Sequence, residues 1–137
     1  MVLGESVNLW AVLVSAIAAM IVGSLWYGPL FGKAWMKLSG MTPQKMKSMK
    51  TSVTRSYLLA FIGALVLAYV LGVIIGWANV TTLWSGVVVG FCVWLGFSAT
   101  HALGAVIWEG KPWTAFWLNG LGGLVSLVIQ GAILAAW

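Results

Sequence analysis

The chain has 137 residues, of which 62% are hydrophobic and 7% are charged, and its mean hydropathy is +1.05. About a quarter of the residues of an ordinary soluble domain are charged, so this chain has too few charges to cover a globular surface in water. The net charge of +5 does not indicate a nucleic-acid partner, because six of the seven cations lie between Lys33 and Arg55, beside apolar segments. The composition therefore predicts one integral membrane domain, residues 1–137, in contact with the lipid bilayer.

Four apolar stretches predict an all-α fold, a bundle of four transmembrane helices. At 1.5 Å per residue, about twenty residues cross a hydrocarbon core about 30 Å thick. The first eight residues carry Glu5 and no basic residue, so a cleaved signal peptide is not expected. The predicted spans are roughly 7–27, 57–77, 84–108 and 113–137, and a polar loop, 33–56, joins the first two.

Aromatic residues and proline mark the predicted boundary of the membrane. Gly28-Pro29 is expected to end the first span, because proline has no N–H to continue the hydrogen-bond ladder. Tryptophan and tyrosine rings suit the headgroup level of a bilayer, where one side of the ring is apolar and the other is wet. The predicted interfacial anchors are Trp26, Tyr27, Pro29, Trp35, Trp108 and Glu109.

The loop 33–56 holds six cations and no acid, so the positive-inside rule places it in the cytoplasm. Four spans then put both termini outside the inner membrane of the cell. A solvated linker is one interpretation of the loop, and a segment lying along anionic lipid headgroups at the cytoplasmic face is the other. The residues expected to contact headgroups are Lys33, Lys37, Lys45, Lys47, Lys50 and Arg55.

Small residues recur every fourth position in the first two spans, and such ladders let helices approach closely. The first ladder is Ala11, Ser15, Ala19 and Gly23, and the second is Ala60, Ala64, Ala68, Gly72 and Gly76. We expect the two ladders to pack against each other within one protomer. A seam between two copies of the chain is the alternative. The positions predicted to carry helix packing are Gly72, Gly76, Ala64, Ala68, Gly23 and Ala19.

Polar side chains in the last two spans predict one intramembrane cluster, composed of His101, Asn119, Ser98, Ser126 and Gln130. An unpaired amide or imidazole in hydrocarbon costs several kcal/mol, so each should find a partner. His101 and Asn119 lie at matched depths on helices joined by a short turn. We therefore expect these two to form a hydrogen bond or to share a water.

The motif Trp26-Tyr-Gly-Pro, followed by Phe31-Gly-Lys-x-Trp35, resembles the opening signature of a bacterial family of small four-helix membrane proteins. That family is catalogued as a domain of unknown function, number seventeen sixty-one. Further matching residues are Trp94-Leu-Gly-Phe97, Trp108-Glu109 with Pro112, Asn119-Gly120, and Gly131 before Trp137. The resemblance covers nearly the whole chain. It implies a four-helix fold and a membrane location, and it implies no activity and no catalytic residue.

A weak internal repeat offers a further interpretation of the fold. Trp26-x-Gly28-Pro29 and Trp108-x-Gly110-x-Pro112 both close helices that run in the same predicted direction. Two helical hairpins related by a pseudo-repeat would explain this likeness, as in some transporters. Chance recurrence of residues that are common at membrane interfaces would also explain it.

The sequence contains no paired intramembrane carboxylates, no Walker loop and no cluster of His, Cys and Asp with metal-ligand spacing. It therefore predicts no enzyme activity, no catalytic residue, no metal and no cofactor. The favoured function is a structural or accessory role through helix-mediated assembly. One alternative is a homo-oligomeric carrier or channel for a small solute, favoured by the polar stripe of the fourth span. The other is pigment or haem binding through His101.

Overall fold

The computed structural model describes residues 7–40, 42, 44, 45 and 50–137, and within these residues the protein is α-helical, with no strand. Two of the helices contain a π-helical segment, in which the turn is one residue wider than in an α-helix. The elements are α1 (Leu9–Leu25), a first π-helical segment (Trp26–Leu30), α2 (Gly32–Ser39), α3 (Lys50–Ala78), α4 (Leu83–Val93), a second π-helical segment (Trp94–Ala99), α5 (Thr100–Glu109) and α6 (Trp113–Ala136).

Four helices are long and apolar enough to span a membrane, which confirms that part of the sequence prediction. They cover Leu9–Leu30, Thr54–Ala78, Leu83–Glu109 and Trp113–Ala136. The third consists of α4, the second π-helical segment and α5 in one continuous helix. The predicted loop 33–56 is in part helical, since it contains α2 and the start of α3. Lys47 lies outside the described residues.

Local chemistry accounts for where the helices begin and end. The Asn8 side chain accepts hydrogen bonds from the backbone N–H groups of Trp10 and Ala11, which caps the start of α1. Thr82 caps α4 in the same way. Gly40 and Gly110 follow α2 and α5 with φ of 72° and 71°, the left-handed conformation in which glycine commonly stops a helix.

The first long helix does not end at Gly28-Pro29, as the sequence predicted, but continues to Leu30. Pro29 lies inside the first π-helical segment, where Phe31 donates its backbone N–H to the Trp26 carbonyl at 2.8 Å, five residues back. A turn of this width has room for the proline ring and tolerates its missing donor. The chain leaves the helix at Phe31 (φ −130°, ψ 18°).

Helix α6 is central, because it packs against α1, α3 and α4, whereas α3 and α4 meet over only a small area. The most extensive pairing joins α4 to α6. There the backbones touch, since a Cβ added at Gly86 would overlap the Gly131 carbonyl and one at Gly90 would overlap the Leu127 carbonyl. A cluster of buried apolar side chains lies beside this pairing and consists of Leu71, Ile75, Trp94, Ala99, Leu127 and Ala135.

Candidate functional site

A cavity of about 720 Å³ lies between α1, α3 and α6, at the end of the helices near Trp35. We call it the Tyr27 cavity. Small residues of α1 and α3 form much of its wall, and polar side chains stand among them. The small residues are Ala19, Gly23, Ala60, Gly63 and Ala64, and the polar residues are Ser24, Tyr27, Tyr57, Asn119, Ser126 and Gln130.

The two small-residue ladders are closed in their middle part, where Ser15 and Ala68 are fully buried. Toward the Trp35 end, by contrast, Ala19, Gly23 and Ala64 line the Tyr27 cavity. Apart from the backbone of α1 itself, no atom of the described residues lies within 4 Å of the position that a Cβ would take at Gly23. The close packing expected along both ladders is therefore absent at this end, and the small side chains leave open space.

Gly72 and Gly76 lie at the opposite end of α3 and line a second cavity. A Cβ at Gly72 would lie 3.2 Å from Val7 Cγ1 and 3.5 Å from Leu134 Cδ2. The neighbours of Gly72 are thus the residue before α1 begins and the end of α6. The predicted packing positions are therefore divided between two cavities and the buried layer that contains Ala68.

Three aromatic side chains donate hydrogen bonds to three consecutive residues of α6. Trp26 Nε1 donates to the Leu118 carbonyl at 2.9 Å. Tyr27 Oη donates to Asn119 Oδ1 at 2.8 Å. Trp94 Nε1 donates to the Gly120 carbonyl at 2.7 Å. Residues 26 and 27 come from the first long helix and Trp94 from the third, so α6 is held from two sides.

Glycines in α6 make this arrangement possible, because the two indole rings lie against its backbone. A Cβ at Gly122 would lie 2.9 Å from Trp26 Nε1, and one at Gly123 would lie 3.8 Å from Trp94 Cδ1. Trp26 packs on Phe31 with ring centroids 4.6 Å apart. We call Trp26, Tyr27 and Trp94, with the α6 residues that they contact, the aromatic clamp.

Both tryptophans of the clamp are the first residues of π-helical segments. Segments of this kind are rare and occur frequently at functional sites. In the structure, Trp26 therefore resembles Trp94 in its local setting. The sequence instead paired Trp26 with Trp108, and Trp108 has 86% of its surface exposed. The two-hairpin repeat stays a prediction.

The structure divides the predicted polar cluster into three places. Asn119, Ser126 and Gln130 line the Tyr27 cavity. Ser98 lines a separate space of about 130 Å³ between α3 and α4. His101 lines a groove of about 370 Å³ with Asn119, near the turn between α5 and α6.

The described contacts include no direct hydrogen bond between His101 and Asn119, and the shared water that the sequence offered as the alternative stays a prediction. The Asn119 Oδ1 atom accepts from Tyr27 instead. Matched depth along two helices did bring both side chains to one groove, which Glu109 and Lys111 also line. The described residues contain no group of three or more His, Cys, Asp or Glu side chains that could hold a metal ion.

Gln130 is the deepest polar side chain of the Tyr27 cavity, with 1% of its surface exposed. Its Nε2 atom lies 3.4 Å from the Ser15 carbonyl, a long hydrogen bond. The Ser15 side chain is fully buried, and its Oγ atom has no hydrogen-bond partner among the described residues. A buried hydroxyl without a partner is costly, so this pair stands out in an apolar interior.

The other predicted anchors and cations lie near the Trp35 end. Trp35 contacts Tyr27 edge to face, with ring centroids 6.2 Å apart. Lys33 and Lys37 are exposed on α2, and Arg55 is exposed on α3. Lys45 is exposed and lies 3.4 Å from the Gly40 carbonyl. Contact of these cations, and of Lys50, with lipid headgroups stays a prediction.

The four long apolar helices have the length and composition of a multi-pass membrane protein. The chain belongs to a family whose model matches residues 10–135 and whose description is "Protein of unknown function (DUF1761)". No curated protein and no solved structure matches the chain. Five of the residues that carried the resemblance in the sequence meet in the aromatic clamp, namely Trp26, Tyr27, Trp94, Asn119 and Gly120.

Proposed function

We propose that this protein is a carrier or channel for a small solute, which binds in the Tyr27 cavity. The observation that carries the proposal is the make-up of the cavity wall. Three side chains of α6, Asn119, Ser126 and Gln130, present hydrogen-bonding groups to a space whose other lining residues are alanine and glycine, together with aromatic, apolar and hydroxyl side chains. Gln130 is almost fully buried, and a polar group at such depth needs partners, which a polar solute would supply.

The volume of the Tyr27 cavity is consistent with a site that binds a small molecule. Sites for small molecules commonly enclose roughly 300–1,000 Å³ and combine apolar walls with a few polar groups that fix orientation. The Tyr27 cavity, at about 720 Å³, has both properties. A lipid chain would fill an apolar cleft equally well, but it would offer nothing to the remaining hydrogen-bonding groups of the Asn119 and Gln130 amides, each of which makes one described hydrogen bond.

The aromatic clamp would serve this function by holding the polar wall in place. Asn119 is fixed through Tyr27, and the backbone on either side of it is fixed through the two indoles. A wall that is already positioned loses little freedom when a ligand binds, which favours affinity. The clamp residues are thus positioning residues, and Asn119, Ser126 and Gln130 are the proposed binding residues.

A structural or accessory role through helix-mediated assembly is the second candidate, and one observation favours it. Apart from their own helix backbone, Gly23 in the first ladder and Gly63 beside the second have no described atom within 4 Å of the Cβ position, so these parts of α1 and α3 are not packed within the described protomer. A helix of a second copy could lie there, as small residues allow close helix approach in membranes. The polar wall behind these glycines favours the solute, since a helix would bring few groups to pair with it.

The cell inner membrane as location, with both termini outside, is part of the proposal and rests on the cations of α2 and of the chain before α3. Binding of a pigment or haem by His101 is a prediction that the described geometry does not favour. The His101 side chain is exposed, and its groove is smaller than the Tyr27 cavity.

The test is solute flux into liposomes that contain the purified protein, with urea, glycerol and potassium chloride as probes. The Gly63→Leu variant adds a large side chain to the wall of the Tyr27 cavity and should abolish most of the flux. The Gly104→Leu variant is the matched control, because Gly104 also has no atom within 4 Å of its Cβ position but lines none of the cavities described above. It should transport as the wild type does.

Absence of flux for every probe in the wild type would count against the carrier or channel. If Gly63→Leu then also changed the oligomer size in detergent, while Gly104→Leu did not, the assembly role would be supported instead. Measurement of oligomer mass by light scattering separates these two outcomes.

A further inference from the structure

A second cavity lies at the other end of the same three helices. It has a volume of about 310 Å³ and is lined by Asn8, Ala11, Gly72, Gly76 and Leu134, among others. We call it the Gly72 cavity. Its residues come mainly from the start of α1, the end of α3 and the end of α6, so these three helices line both cavities.

The layer of protein between the two cavities is thin. On α3, Leu67 lines the Tyr27 cavity and Gly72 lines the Gly72 cavity, about 7.5 Å apart along the axis at 1.5 Å per residue. On α6, Gln130 and Leu134 are the corresponding residues and lie about 6 Å apart along the axis. Between one and two helical turns thus separate the cavities along these two helices.

The residues in this layer are small or polar, with one leucine. We call the layer the septum, and it consists of Ser15, Ala16, Ala68, Leu71 and Gln130, each with at most 2% of its surface exposed. Gln130 also lines the Tyr27 cavity, so its amide connects the septum to that space. The unpartnered Ser15 Oγ atom lies on α1, at the residue whose carbonyl Gln130 contacts.

We infer that Ser15 and Gln130 form the central binding point of a path that joins the Tyr27 cavity to the Gly72 cavity, for a small uncharged solute that forms hydrogen bonds. The inference rests on the proposed function and adds the route and the class of solute. A solute in the septum gives Ser15 Oγ the partner that it lacks in the described structure. Gln130 offers the same solute an amide that can donate and accept.

The charge of the lining decides the class of solute. No Lys, Arg, His, Asp or Glu is among the described residues that line either cavity. An ion that entered the septum would lose its hydration and would find no opposite charge there. This costs several kcal/mol even when the surroundings relax. An uncharged molecule with hydrogen-bonding groups, of the size of urea or glycerol, exchanges its water contacts for those of Ser15 and Gln130 at little cost.

The first experiment compares Ser15→Ala with Ser98→Ala in liposome flux assays with urea, glycerol and potassium chloride. Ser15→Ala removes a hydroxyl that has no described partner, so a purely structural hydroxyl predicts unchanged flux and unchanged or higher thermal stability. A solute that bonds to the hydroxyl predicts urea or glycerol flux lowered by about tenfold, the loss of one hydrogen bond. Ser98 lies outside both cavities, so Ser98→Ala should transport normally.

The second experiment places a thiol in the septum with Ser15→Cys, in a background where the one native cysteine is replaced by Cys92→Ala. A small neutral methanethiosulfonate should react with the new thiol and block flux of the uncharged solutes. A trimethylammonium methanethiosulfonate should react far more slowly, because it carries a charge.

The outcomes separate the two proposals. Wild-type flux of urea or glycerol that neither Ser15→Ala nor the modified Ser15→Cys reduces would overturn the septum as the route and leave the carrier or channel standing. Flux of potassium chloride equal to that of the uncharged probes would overturn the class of solute. No flux of any probe in the wild type would overturn the route together with the proposed function.

Discussion

Two helix pairs in this protein use small residues in opposite ways. Between α4 and α6, Gly86 and Gly131 bring two backbones into contact, with no room for a Cβ on either residue. Between α1 and α3, Gly23 and Gly63 have no neighbouring atom within 4 Å of their Cβ positions. The same residue type therefore closes one interface and opens a cavity in the other.

The two interfaces differ because the aromatic hydrogen-bond donors of the first long helix bond to α6. At the Trp35 end of α1, Trp26 and Tyr27 bond to α6 and not to α3. These bonds hold the end of α1 to α6 while α3 stays apart, and the Tyr27 cavity lies in the gap. Between the Tyr27 and Gly72 cavities, Ala16 and Ala68 are buried. The comparison teaches that a small-residue ladder permits close packing without enforcing it.

Leucine substitutions at the two kinds of glycine should give the largest contrast. Gly86→Leu should abolish the folded state or destabilise it by about 3 kcal/mol or more, because the added side chain meets backbone that cannot move without separating α4 from α6. Gly63→Leu should change the free energy of unfolding by less than about 1 kcal/mol, since the side chain enters open space. Thermal unfolding in detergent, followed by circular dichroism, measures both.

Equal destabilisation by these two variants would break the comparison. It would mean that the space at Gly63 is filled in the protein, for example by a second copy of the chain. Oligomer mass in the same detergent then identifies the cause, because a filled interface would come apart in Gly63→Leu.

The indole hydrogen bonds of the clamp should give the next largest effect. Trp94→Phe keeps an aromatic ring but removes the N–H that donates to the Gly120 carbonyl, and this site is buried. We expect a loss of about 1–3 kcal/mol, from the lost hydrogen bond together with the lost ring volume. Trp108→Phe is the matched control and should be nearly neutral, since Trp108 is largely exposed. Equal effects of the two changes would remove Trp94 from the clamp.

The four long helices could be predicted from the sequence because length and hydropathy alone determine them. Their interior arrangement could not, and the tryptophans show why. Trp94 is far from the ends of its helix, so it did not fit an interfacial belt. A buried indole N–H needs an acceptor, and Gly120, Gly122 and Gly123 form a stretch of helix whose backbone a ring can approach. That combination was the signal for the clamp.

The polar cluster was harder to predict, because depth along a helix does not define direction around it. His101 and Asn119 share a groove as their depths require, but Tyr27 lies on a third helix and takes the Asn119 oxygen. The sequence indicates only that Ser15 is one small residue of the first ladder. Its role in the septum depends on Gln130, whose side chain reaches it from another helix, and no spacing within α1 reveals that.

The smallest expected effect concerns the hydroxyl of Tyr27. It donates to Asn119 Oδ1 at 2.8 Å in an exposed setting, so Tyr27→Phe should cost only about 0.5–1 kcal/mol of unfolding free energy. The Tyr27→Phe variant is most informative in a double-mutant cycle with Asn119→Ala. If the hydroxyl acts through Asn119, the double variant should be more stable than the sum of the single effects predicts, by about the same 0.5–1 kcal/mol.

Additive effects in that cycle would mean that Tyr27 and Asn119 do not stabilise each other, and the clamp would then reduce to its two tryptophans. Flux provides a second measurement of the same bond, independent of stability. Tyr27→Phe leaves the size of the cavity nearly unchanged but frees the Asn119 amide to rotate, so an effect on transport should exceed the small effect on unfolding. A variant that is slightly less stable and clearly slower would show that the bond between α1 and α6 positions a binding residue, which packing alone does not require.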